Sequence, residues 1–143
     1  MILILVNYYL TYDKESFSEE LLKSTEKLGL CFCLEKILDY VKEVCYNYGI
    51  NTPLITIKDK NKVMNEGIYL GYRKEIIFYG FPSLITLLHE LRHHIQQETK
   101  LFDIELSYED KEIEARAWSS SLFYSVFPND YLELAEQGKI KFV

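Results

Sequence analysis

Two of the three histidines in this chain stand four residues apart with a glutamate directly after the first, in the segment His89-Glu90-Leu91-Arg92-His93. On an α-helix each residue turns by roughly 100°, so positions i and i+4 return to nearly the same face. Both imidazoles can then reach one metal ion, with Glu90 beside it as a base. A chain of this composition produces such a pattern by chance on the order of 0.01 times. The surroundings also read as helix. Pro82-Ser83-Leu84 supplies a start with Ser83 as its cap, and Ile85, Leu88, Leu91 or Arg92, and Ile95 recur at steps of three and four. His94 is turned about 100° from His93, which makes it a surface residue or one standing behind the ligands.

A catalytic zinc site uses three protein ligands and keeps a fourth position open for water or substrate. The third ligand is expected downstream, where Tyr108-Glu109-Asp110-Lys111-Glu112-Ile113-Glu114-Ala115-Arg116-Ala117-Trp118 has an acidic helix start and a helical pattern running through Leu122 and Tyr124 towards Pro128. Glu112 and Glu114 are the candidates. They lie about 200° apart around the helix, so only one of them can face a given metal. Asp103, Glu105, Glu109 and Asp110 read instead as a solvated acidic loop and helix start.

HELRH followed by Glu112-Ile113-Glu114-Ala115 resembles the gluzincin metallopeptidases, particularly the small phage and mobile-element proteins of the ImmA/IrrE type, over roughly residues 82 to 125. The resemblance implies that His89 and His93 bind Zn2+, that Glu90 is the general base, and that a glutamate of the second helix completes the site. By position in the pattern this is Glu112, with Glu114 as the alternative. It further implies hydrolysis of peptide bonds in a protein or peptide substrate, by a zinc-bound water that Glu90 activates. Tyr108 and His94 are candidates for holding the oxyanion, each equally readable as structural. One position departs from the group. Four residues after the ligand Glu, where the group has Asn or Asp, this chain has Arg116, which cannot accept a hydrogen bond and so cannot orient a ligand histidine.

The rest of the chain supplies a scaffold. With 143 residues, 48% of them hydrophobic, one compact core is expected and a single domain over residues 1–143. The pattern predicts a helix over Ser18 to Leu28. A second runs over Leu34 to Tyr48, striped by Ile37, Leu38, Val41, Val44, Cys45 and Tyr48 and stopped by Gly49. Pro53 to Ile57 reads as a strand, and 67–72 with 75–79 as a β-hairpin around Arg73-Lys74. Met1 to Val6 reads as an N-terminal strand rather than a signal peptide, because it lacks a basic segment and meets Asn7 early. Helices, small sheet, HExxH helix and Glu helix follow the order of a minimal zincin. The resemblance therefore implies an α+β, zincin-like domain with its sheet packed on the HExxH helix, the hairpin offering an edge to an extended substrate.

A net charge of −6, only three scattered arginines and no zinc-ribbon cysteines disfavour nucleic acid as a partner. No segment approaches a membrane span, and a cytoplasmic location is expected. Cys31, Cys33 and Cys45 are odd in number and apolar in surroundings, so buried free thiols are expected rather than a disulfide framework. The small size leaves room for an activating or regulatory protein partner. A noncatalytic binding or regulatory protein on the same fold, an inhibitor, antitoxin or phage accessory protein, is the alternative from a different class. The intact Glu90 favours the enzyme.

Overall fold

The computed structural model describes residues 11–60, 66–100 and 106–140. The N-terminal strand expected over Met1 to Val6, and the acidic candidates Asp103 and Glu105, lie outside the described residues. A 3-10 turn at Lys14–Ser16 leads into α1 (Glu19–Leu28), whose cap Ser18 accepts a hydrogen bond from the backbone N–H of Leu21 at 3.1 Å. Helix α2 (Leu34–Tyr48) buries Ile37, Tyr40, Val41, Val44 and Cys45. It ends at Gly49, whose φ of 70° is left-handed, a conformation that suits glycine. Leu38 leaves the expected stripe. It is exposed, because the face of α2 turned to the core is narrower than the full run of apolar residues.

Strands β1 (Leu54–Lys58), β2 (Gly67–Leu70) and β3 (Glu75–Tyr79) form a sheet of order β1-β3-β2. The hairpin is present as β2 and β3, antiparallel with Gly67 opposite Phe78 and Leu70 opposite Glu75. Strand β2 stops at Leu70, two residues earlier than expected, since Gly71 to Lys74 form the turn and Lys74 takes a φ of 52°. Strand β1 pairs in parallel with β3. That leaves β3 central and buried from Glu75 to Phe78, and β2 as an edge.

Helix α3 (Leu84–Thr99) carries the HELRH segment, with Ser83 as its cap. It lies between the sheet and α4 (Tyr108–Val126), and Leu84, Leu87, Leu88, Leu91 and Ile95 are all fully buried. Helix α4 packs against it and buries Ala115, Ala117, Trp118, Leu122 and Phe123 along its length. Helix α5 (Pro128–Glu136) follows directly and was not expected. Pro128, read from sequence as a stop, occupies the first turn of this new helix, where its missing N–H costs nothing. The result is a small mixed α+β domain in which one apolar cluster joins all five helices to β3. Among the described residues no helix is long and apolar enough to cross a membrane.

The cysteines are a correction. Cys45 is buried, but Cys31 and Cys33 are exposed, because they fall in the short connection between α1 and α2 and not on a core-facing stripe.

Candidate metal centre

His89 and His93 project from one face of α3, as their four-residue spacing requires, with Nε2 atoms 3.2 Å apart. Glu112, in the second turn of α4, reaches across to both: its carboxylate oxygens stand 3.2 Å from His89 Nε2 and 2.8 Å from His93 Nε2. The three side chains are only 12 to 18% exposed, so the cluster is sheltered but open to one side. Glu114 goes elsewhere. It turns to Arg92, whose Nε and Nη2 both donate to it at 2.9 Å, and it also accepts hydrogen bonds from Tyr12 and Gln96. The two glutamates thus separate around the helix as their spacing demands.

The charges follow from these contacts. Hydrogen bonds from His89 and His93 hold the Glu112 carboxyl well below the ordinary range. Burial pulls the His93 imidazole down, but its bond to Glu112, the nearby Glu90 charge and Gln96 outweigh this and raise it. Glu90 is buried beside the same nitrogens. Desolvation raises its pKa against the pull of both histidines and, more weakly, of the Tyr69 backbone on β2. Ligand atoms of His89, Glu90 and His93 lie within 4.8 Å of one another. Glu112 comes closer to both nitrogens than this and is better placed than Glu90 to share an ion with them.

Zinc fits this donor set. Bonds of about 2.0 to 2.2 Å in a tetrahedral site place ligand atoms roughly 3.3 to 3.5 Å apart. The observed separations of 2.8 to 3.2 Å would open by about 0.1 to 0.7 Å to reach these values, within reach of small side-chain rotations. Two imidazole nitrogens facing each other at 3.2 Å also need a proton or a cation between their lone pairs.

Other candidates fall into place around this centre. Arg116 lies 3.7 Å from the Glu112 carboxylate and orients no histidine. Instead Gln96, which the sequence reading missed, meets His93 Nδ1 at 3.0 Å through its amide oxygen. The available signal was its three-residue spacing from His93 on the same helix. His94 is fully buried, a correction to the surface position expected of it. Its Nε2 donates to the Asn51 carbonyl at 2.8 Å and its Nδ1 meets the Tyr69 hydroxyl at 2.9 Å, because α3 is covered on that side by β2 as well as by the core. Tyr108 is exposed at the rim, where the charge of Glu112, then burial and the charge of Glu90, raise its pKa. Glu109 and Asp110 are exposed in the first turn of α4, as a solvated helix start requires.

No family model, curated protein or solved structure matches this chain.

Proposed function

We propose that this chain is a zinc-dependent metallopeptidase of the gluzincin type on a zincin-like fold, acting on a protein or peptide substrate. The observation that carries the reading is the meeting of His89 Nε2, His93 Nε2 and the Glu112 carboxylate within 3.2 Å, with the buried carboxylate of Glu90 beside them. His89, His93 and Glu112 would hold the ion. Bound there, zinc would supply Lewis-acid polarisation of a carbonyl and acidify a water.

Glu90 then takes a proton from the attacking water on a carboxylate oxygen and returns it to the departing amine, so that water is divided between the two products. Its burial beside the two histidines keeps bulk water from competing for that proton. The outer edge of β2 is the place for an extended peptide. Glu66 and Leu70 turn their carbonyls into the hairpin, bonding Tyr79 and Arg73, so the alternate residues Gly67 and Tyr69 direct their backbone groups away from β3. Tyr108, at the rim beside Glu112 and Glu90, is the candidate for stabilising the oxyanion. His94 is not available for this, with both ring nitrogens engaged in the interior.

Zinc content and peptide hydrolysis, compared between the wild type and Glu90→Gln, test the proposal. Zinc in both proteins and hydrolysis in the wild type alone is the expected result. No zinc in either, after purification and after titration, would remove the proposal.

A further inference from the structure

Gln96 follows His93 by three residues on α3 and is buried at 7% exposure, with its side-chain amide between His93 and α4. Its Nε2 stands 3.0 Å from the Lys111 carbonyl and 2.8 Å from Glu114 Oε1. Both partners are acceptors. A carbonyl has no proton to give, and Glu114 is held as a carboxylate by the two-pronged bond from Arg92. Both amide hydrogens of Gln96 are therefore directed to α4, and its oxygen is the atom turned to His93 Nδ1 at 3.0 Å. An amide oxygen only accepts, so the hydrogen of that bond belongs to His93 Nδ1. The hydrogen on Nε2 that bonds the Glu112 carboxylate is the one an ion would displace, leaving the Nε2 lone pair to ligate while Nδ1 keeps its hydrogen.

We infer that Gln96 is the positioning residue of His93, and that Glu114 anchors it, so that the two glutamates of α4 have complementary tasks: Glu112 ligates the ion and Glu114 sets, through Gln96, which nitrogen of His93 is presented to it. The inference rests on the proposed zinc centre. The anchor is itself fixed at three points, by Arg92 Nε, Arg92 Nη2 and the Tyr12 hydroxyl, and Arg92 stacks over Trp118 at 4.8 Å. Arg92, inside the HELRH segment, is thereby tied to the same arrangement. It also accounts for Arg116, since a histidine oriented from its own helix needs no acceptor four residues after Glu112.

The test uses full-length protein with histidine ring nitrogens labelled, observed by NMR with zinc bound, together with zinc titration of the wild type and Gln96→Leu against a competing chelator. In the wild type, His93 is expected to show a slowly exchanging proton on Nδ1 and zinc on Nε2. Gln96→Leu is expected to weaken zinc binding by about 10- to 100-fold and to lose the slow exchange of that proton. A His93 that binds zinc through Nδ1 overturns the inference, and so does a Gln96→Leu protein whose zinc affinity stays within about twofold of the wild type. A merely structural bridge between α3 and α4 would lower the unfolding temperature of the metal-free variant and leave the zinc affinity of the folded protein unchanged, which counts against the inference. If Gln96→Leu does not fold, the wild-type ring spectrum decides alone. Failure of the wild type to bind zinc removes the metal centre itself, and with it this inference.

Discussion

Glu112 and Glu114 are chemically identical and two residues apart, yet one meets two imidazoles and the other a guanidinium. Their substitutions should differ accordingly. Glu112→Ala is expected to abolish tight zinc binding with little loss of stability. Glu114→Ala should retain measurable, weakened binding and lose about 3 to 5 kcal/mol of stability, because Arg92 is left charged and buried. Zinc titration and denaturant unfolding of both variants check this, and equal zinc affinities would contradict the ligand assignment. Glu90→Gln preserves shape but removes the proton acceptor, so zinc should stay bound while turnover falls by about 10² to 10⁴. Zinc lost from that variant would make Glu90 a ligand instead. At this scale the sequence was informative where angular spacing decides the matter, since 200° of rotation separates the two glutamates in any helix. It did not show which of them would face the histidines. That depends on how α4 is rotated about its axis where it packs on α3, which tertiary contacts decide and residue spacing does not.

Among the elements, β2 lies closest to the reacting groups. A methyl group at Gly67 would stand 3.1 to 3.2 Å from Phe78 Cδ1, Thr86 Cγ2 and Glu90 Cγ, tighter than normal contact. Gly67→Ala should push the Glu90 side chain from its place, lowering turnover several-fold while zinc stoichiometry stays at the wild-type value. Unchanged turnover would show that Glu90 tolerates the shift. Tyr69 holds the same strand from the other side through His94. Tyr69→Phe should cost about 1 to 3 kcal/mol by leaving a buried ring nitrogen without its partner, measurable by thermal or denaturant unfolding. The HELRH helix was legible because its cap Ser83 and its apolar spacing agree, and the glutamate helix because its acidic start opens a helical pattern; its cap Ser107 went unread. The hairpin was legible from its alternation. The parallel pairing of β1 with β3 was not, since a five-residue strand carries no mark of its partner. Helix α5 was missed because Pro128 can end one helix and begin the next.

For the whole molecule, the core gathers around α3, and what lies outside it is correspondingly accessible. Burial, with the charge of Glu98, pushes the Cys45 thiol up to about 11, whereas Cys31 and Cys33 are exposed. Thiol labelling at neutral pH should therefore modify two cysteines quickly and the third only after unfolding. Fast labelling of all three would mean that α2 is less firmly packed than described. Composition predicted the number of thiols but not their exposure, because apolar neighbours in a connection between helices need not belong to a core. The central claim is that His89, His93 and Glu112 form a three-ligand zinc centre, and a crystal structure of the zinc-loaded protein with anomalous diffraction at the zinc edge tests it most directly. It should show one strong peak per chain, about 2.0 to 2.2 Å from His89 Nε2, His93 Nε2 and a Glu112 oxygen, with Glu114 still on Arg92 and Glu90 unligated. No peak at these residues, or a peak held by Glu114 in place of Glu112, would contradict the account.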